Sequence, residues 1–297
     1  MKPLNIVVAT DNHYAILLAA LIKSIEDTVK QGQKVNIYVM DDRIKSKTKT
    51  KLINSINTAI TTLHFKTIDQ IIPKGMSMPL DNSSYPLNIY LRIFIPYFIP
   101  ADIVKILYMD VDMIVRKDLS ALFEIDLGEN IIAAVQDQYI QTLDNPRQGI
   151  KNYAALNLDG NSLYFNAGLL LIDCAKWRNN KITERTNECI KNNQPYVNYV
   201  DQYGLNVVLA NQWYKLDSRW SHFSTIETEN DPYIIHFILR KPIYKSYCYS
   251  KAYQIIFNHY LNQTVWKNFK QIGEFRRYLK KINNVWEKKK KILFSRN

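Results

Sequence analysis

The chain has 297 residues, 47 % of them hydrophobic, with 8 Gly, 10 Pro and 20 Tyr. It is apolar and long enough to bury a large core, and its Gly and Pro content excludes collagen-like, linker-like and Pro-rich chains. The net charge of +12 is localised: residues 265–297 hold eleven Lys/Arg against two Glu, a net of +9, which leaves a nearly neutral body of +3. Apolar runs such as Ile131–Val135 and Ala167–Ile172 fall far short of a bilayer span. Ile6–Ala9 is too short for a signal-peptide core, so the expected location is the cytoplasm. Cys174, Cys189 and Cys248 are scattered, odd in number and form no C-x-x-C, which argues against disulfides and structural zinc.

In chain order, Leu4–Ala9 reads as a buried strand that stops at Thr10-Asp11-Asn12, polar residues suited to starting a helix. Apolar residues at 14, 17, 18, 21, 22 and 25 have helical spacing. A strand over Val35–Met40, a helix over Ser46–Ala59 and a strand over Thr62–Ile68 follow. This alternation predicts an α/β fold with a central, mostly parallel sheet covered on both faces, whose ligands sit at the carboxyl ends of the strands. Residues 73–88 read as a loop, Ile89–Phe94 as a helix closed by Pro96 and Pro100, and Ile103–Met109 as a fourth strand. Ile131–Val135 is a fifth strand ending near Asp137. Asn145–Asp159 reads as an irregular, mobile loop, Ser162–Ile172 as a strand, and Ile182–Lys191 as a helix. The chain divides into a catalytic body, 1–264, and a basic tail, 265–297.

Four constellations carry chemistry. After the apolar run 106–109, Asp110 and Asp112 leave the strand two residues apart and point to one side. Paired carboxylates of this kind suit a hard divalent ion, Mn²⁺ or Mg²⁺. His236 ends the apolar stretch Tyr233–Ile235, and Arg240 and Lys241 follow it, so an imidazole can complete a metal shell and cations can meet a diphosphate. Asn166-Ala167-Gly168 lets backbone approach a ligand closely. Asp201-Gln202 is a polar pair ahead of an apolar helix. The phosphate-binding signatures G-x-G-x-x-G and G-x-x-x-x-G-K-[ST] and the nucleophile elbow G-x-S-x-G are absent.

The ordered set I-V-V-A-T-D-N-H-Y (6–14), Y-L-R (90–92), I-L-Y-M-D-V-D (106–112), Y-F-N-A-G-L-L-L-I-D (164–173), D-Q-x-x-L-N (201–206) and I-I-H-F (234–237) resembles glycosyltransferase family 8, close to its bacterial lipopolysaccharide galactosyl- and glucosyltransferases. The resemblance implies a GT-A fold and a retaining, metal-dependent transfer of galactose or glucose from a UDP-sugar to a hydroxyl of a lipopolysaccharide or other surface glycan. It implies that Asp11 holds uracil, Tyr14 stacks on it, and Ala9 and Val111 line the donor. Asp110, Asp112 and His236 would bind Mn²⁺ or Mg²⁺. Arg92 would contact the donor near its sugar, and Asp137, Asn166, Ala167 and Gly168 would line the sugar pocket. Asp201 would bond sugar hydroxyls, Gln202 would lie near the anomeric carbon, and Lys241 or Arg240 would neutralise the diphosphate. The sequence departs from the family at Tyr203, where an acidic residue is usual, and at Ile238-Leu239-Arg240, a loop one residue short that lacks its usual Gly. Pro242-Ile243 stands where Pro-Trp is common.

In the tail, Trp266, Phe269, Ile272, Phe275, Tyr278, Leu279 and Ile282 recur at helical spacing among Lys and Arg, and Lys288–Lys291 follow. A basic amphipathic helix suits an anionic membrane surface, which places the protein peripherally on the inner face of the cytoplasmic membrane. The rival reading, nucleic-acid binding through the tail, finds a neutral body without RNP, KH or helix-turn-helix marks, so no nucleic acid is expected.

Overall fold

The structure is a computed structural model that describes residues 1–80 and 85–294, with side chains described through residue 290. Residues 81–84 of the predicted 73–88 loop, the side chains of 291–294 and the end 295–297 lie outside the described residues. Its centre is a seven-stranded sheet of order β3-β2-β1-β4-β7-β6-β8. These strands are β1 (Leu4–Asp11), β2 (Val35–Asp42), β3 (Thr61–Thr67), β4 (Lys105–Asp110), β6 (Ile132–Gln136), β7 (Phe165–Asp173) and β8 (Trp213–Leu216). All run parallel except β7, which is antiparallel to both of its neighbours. A small second sheet, β5 (Met113–Val115), β10 (Ile234–His236) and β9 (His222–Phe223), stands beside it.

The continuous apolar runs of β1, β4 and β7 are explained by burial on both faces. Ile6, Val8, Leu107, Met109, Leu169 and Leu171 face one core, which holds helix α1 (Ala15–Thr28). Their alternates Val7, Ala9, Ile106, Tyr108, Leu170 and Ile172 face a second core, with Leu91 and Phe94 of a 3₁₀ helix over Leu87–Phe94. The period of two along each strand thus feeds two separate cores. Helices α2 (Ser46–Ile53), α3 (Ile182–Asn192), α4 (Asp201–Val208) and α5 (Lys251–Leu261) complete the body, and α6 (Glu274–Phe294) is the last element.

Four local expectations are corrected. The helix expected over 46–59 ends at Ile53, and the one expected over 89–94 is a 3₁₀ helix. The stretch 145–159 is folded onto a small core of Leu143, Ile150, Tyr164 and Tyr203. Gly149 is wedged there: a Cβ on it would lie 2.3 Å from the Leu143 carbonyl oxygen, a proximity only Gly tolerates. In the tail, Trp266, Phe269 and Ile272 pack on the main core rather than on a helix face, and the Ile272 N–H donates to the Ile243 carbonyl at 2.8 Å. Helix starts only at Glu274.

Candidate active site

Parallel pairing places Ala9 opposite Asp110, so the carboxyl ends of β1 and β4 present Asp11 and the Asp110–Asp112 pair along one edge. The small sheet supplies the third component. β10 pairs with β5, His236 opposite Met113, and the Phe237 N–H donates to the Asp112 carbonyl at 2.8 Å. His236 Nε2 then lies 3.3 Å from Asp112 Oδ1 and 3.8 Å from Asp110 Oδ2. His236 Nδ1 meets the buried Ser221 hydroxyl at 3.2 Å. A proton on Nδ1, donated to Ser221, leaves the Nε2 lone pair facing two carboxylates, and this arrangement is completed by a cation. Asp112 Oδ1 is buried without a hydrogen-bond partner. One histidine and two carboxylates form the one such three-ligand cluster among the described residues, and N/O donors of this kind fit Mn²⁺ or Mg²⁺. Burial alone would raise the Asp112 pKa, but the Lys241 ammonium holds it well below the usual carboxylate range.

Behind the cluster, Arg92 rises from the 3₁₀ helix with its side chain almost wholly buried. Its Nε lies 2.7 Å from Asp201 Oδ2 and its Nη2 3.3 Å from Asp110 Oδ1. Its guanidinium also donates to the Ala167 carbonyl and covers the Tyr108 ring. Burial opposes its charge, yet Asp110 and Asp201 outweigh that and raise its pKa. Asp201 has the reverse balance: burial, helped by Asp110, raises it to about 7 against the pull of Arg92. The residue before it, Val200, has φ +47°, a strained backbone for a β-branched side chain.

Gln202 accepts from the Ala167 N–H at 2.9 Å and turns its amide nitrogen toward the Tyr164 hydroxyl at 3.4 Å. Asn166 donates to Asp137 at 3.0 Å and accepts from the Gly168 N–H at 2.9 Å. Gly168 touches the metal cluster itself. A Cβ there would sit 2.6 Å from His236 and 2.9 Å from Asp110. Val111 is buried between the two carboxylates. Asp137 also borders an open groove of about 820 Å³ that runs past Gln138, Lys215, Arg219 and His222 and shares none of the metal cluster.

The two cations of the short loop separate. Lys241 binds the Asp112 carboxylate and donates to the Phe237 carbonyl at 2.7 Å, whereas Arg240 reaches Glu274 of α6 at 3.4 Å. The missing glycine has a local cost: Leu239 takes φ +58°, a left-handed conformation worth roughly 1–2 kcal/mol to a residue with a Cβ. At the other end of the site, Asp11 Oδ1 accepts from the His13 and Tyr14 N–H groups, both at 2.9 Å. The Tyr14 hydroxyl lies 3.3 Å from that of Tyr244.

Sequence reasoning missed Tyr108, Ser221, Tyr244 and Lys280. Tyr108 donates to Asp110 at 2.5 Å, and their i, i+2 spacing on one strand was the available signal. Ser221 and Tyr244 had none. Lys280 was grouped with the membrane-facing charges, but its ammonium lies 2.6 Å from Asp11 Oδ2.

The family model for glycosyl transferase family 8 matches residues 5–245, which contain every element of this site except Glu274 and Lys280 of α6. The chain belongs to glycosyl transferase family 8. It is 28 % identical to General stress protein A of Bacillus subtilis strain 168, covering 89 % of this chain and 94 % of that protein. It is 26 % identical to glycosyltransferase GlyF of Streptococcus pneumoniae serotype 4, over 84 % of this chain and 60 % of that longer protein. In fold, it is similar to the galactosyltransferase LgtC in complex with donor and acceptor sugar analogs, with a TM-score of 0.74 at 22 % identity over 89 % of this chain and 99 % of that one. The bifunctional glycosyltransferase WbbM, in its apo structure, gives the same TM-score of 0.74 at 20 % identity over 90 % of this chain and 51 % of that one. The GT-A-like α/β architecture of this family 8 glycosyltransferase therefore agrees with the resemblance read from its motifs. Among the described residues, no helix is long and apolar enough to cross a membrane.

Proposed function

We propose that the protein is a retaining transferase that moves galactose or glucose from a UDP-sugar to a hydroxyl of a lipopolysaccharide or other surface glycan. The observation that carries this reading is the Asp110–Asp112–His236 cluster, set beside the Arg92–Asp201 pair and the Gln202 amide at one sheet edge. Asp110, Asp112 and His236 would hold Mn²⁺ or Mg²⁺, which supplies charge stabilisation to a departing diphosphate. Asp11 and Tyr14 take the uracil. Asp137, Asn166 and the Ala167–Gly168 backbone line the sugar.

Arg92 fixes Asp201 and Asp110 relative to one another, so the sugar-facing carboxylate and the metal-facing one keep a set distance. Lys241, already seated on Asp112, supplies a second positive charge for the leaving group. Gln202 is a neutral amide, held by the Ala167 N–H and a poor nucleophile. The acceptor hydroxyl therefore attacks from the face that the diphosphate leaves. The new C–O bond forms as the sugar–phosphate bond breaks, and the departing phosphate oxygen takes the hydroxyl proton.

The division into a catalytic body and a basic tail belongs to this reading, with the tail's helix beginning at Glu274. So does peripheral attachment to an anionic inner membrane surface: Phe275, Leu279, Ile282 and Trp286 of α6 are all exposed. Arg277, Lys280 and Lys288 are turned onto the body, which removes them from any basic face offered to nucleic acid. Hydrolysis of a panel of UDP-sugars with Mn²⁺, without acceptor, tests the proposal. Turnover of UDP-galactose or UDP-glucose above the other donors supports it, and no turnover of any UDP-sugar overturns it.

A further inference from the structure

Helix α6 lies on the protein with its polar side inward. Glu274, Arg277, Lys280, Glu287 and Lys288 follow one face, and each has a partner. Glu274 holds Arg240, Arg277 and the Ser246 hydroxyl. Glu287 pairs with Arg43, and Lys288 is buried at the Tyr90 hydroxyl, 3.4 Å away. The opposite face, Phe275, Tyr278, Leu279, Ile282 and Trp286, is exposed, from 48 to 75 %. An amphipathic helix that docks on a globular body normally buries its apolar stripe. Among the described residues, this one turns ion pairs and hydrogen bonds to the body instead.

The central fastening is on the donor-base residues. Asp11 Oδ1 is committed to two backbone N–H groups, so Oδ2 is its remaining acceptor, and Lys280 Nζ occupies it at 2.6 Å. The same ammonium sits 3.7 Å from the centre of the Tyr14 ring, at stacking distance over its face. A planar base that bonds to Asp11 and stacks on Tyr14 needs both of those places. We propose that α6 is an autoinhibitory strap, whose Lys280 occupies the base end of the donor pocket so that the docked helix and the nucleotide exclude one another. The proposal rests on the donor reading of Asp11 and Tyr14 given above. Its physical basis is population shift: a chain that spends most of its time strapped binds its ligand more weakly by the fraction of open molecules. Fastening through polar contacts, with Phe275, Tyr278, Leu279, Ile282 and Trp286 already exposed, keeps that equilibrium within reach of a ligand.

The test is UDP binding with Mn²⁺, measured by calorimetry on the full chain and on Lys280→Ala and Glu287→Ala. The two substitutions loosen α6 at contacts two turns apart, and Glu287 touches no donor residue. Both variants are expected to bind UDP about threefold or more tighter than the unaltered protein. UDP added to the unaltered protein is expected to speed hydrogen exchange across residues 274–290. If the unaltered protein binds UDP and the variants bind it equally or more weakly, the strap is wrong and the donor reading stands. If none of the three binds UDP, the donor reading fails and the strap with it.

Discussion

Two lysine- or arginine-centred ion-pair groups sit along one edge of the central sheet, at the ends of β1 and β4, and they are built in opposite ways. Arg92 stands on a 3₁₀ helix whose Leu91, Ile93 and Phe94 are fully buried, and its charge is enclosed with Asp110 and Asp201. Lys280 stands on a helix whose Phe275, Tyr278, Leu279, Ile282 and Trp286 face outward, and it reaches Asp11 across a polar seam. The first group is held in place by the core, so its geometry is permanent. The second is held, among the described residues, through polar contacts at a seam, so it can open. A preorganised site needs the first kind of construction, and a removable cover needs the second.

The largest effect expected from breaking this contrast is on chemistry. Asp110→Ala or Asp112→Ala should lower transfer by at least about a hundredfold while circular dichroism stays unchanged, because charge stabilisation of the leaving group is lost. Near-normal turnover of either variant, with metal supplied, would remove the metal site from the account.

Stability separates the two groups next. Arg92→Ala leaves Asp201 buried without its cation and should cost about 3–5 kcal/mol in urea unfolding. Lys280→Ala should cost about 1 kcal/mol or less, as for a pair that water can reach once the helix lifts. Equal losses would mean that α6 is as firmly built in as the core.

A smaller effect is expected at Gln202. Gln202→Ala removes a hydrogen-bond acceptor from the Ala167 N–H but no nucleophile, so transfer should fall by about tenfold, the worth of one hydrogen bond. A glycosyl adduct trapped on Gln202, Asp137 or Asp201 would refute same-face attack.

The pH response reports on the helix. Burial first, and then Lys280, hold the His13 imidazole down to about 4, with Asp11 pulling the other way. A depressed imidazole means that the unfolded chain takes up its proton first as pH falls. The stability this residue contributes is therefore complete above about 6.5 and is lost as pH drops through 4. Lys280→Ala should move the His13 titration, followed by NMR, upward; an unmoved titration would separate Lys280 from this pocket. The smallest effect is expected at the short loop. Leu239→Gly relieves a left-handed Leu and should stabilise by up to about 1 kcal/mol, read from the urea midpoint.

The order of strands and helices through β4 was legible because β1, β2 and β4 are buried on both faces and carry long apolar runs, while α1 has a clean helical period. The Asp110–Asp112 pair was legible for the same reason, since a strand of known direction delivers its exit residues to a known edge. The segment 145–159 reads as mobile from its polar composition, but its Ile150 meets Leu143 and Tyr203 from outside the segment, a contact that forms only after folding. His236 was found by its place after an apolar stretch, but its distance to Asp112 required β10 to pair with β5, a contact across more than a hundred residues of chain.

The sequence by itself determined the α/β class, the strand that carries the paired carboxylates, and the family, because local periodicity and short ordered motifs encode these directly. Only the tertiary structure decided that Arg92 is locked between Asp110 and Asp201, that Ser221 orients His236, and that Lys280 covers Asp11 and Tyr14. A helical periodicity shows that one face is apolar and the other charged, but not which of them turns inward. That choice depends on what the body offers. Here it offers acidic residues at a strand end, and the charged face takes them.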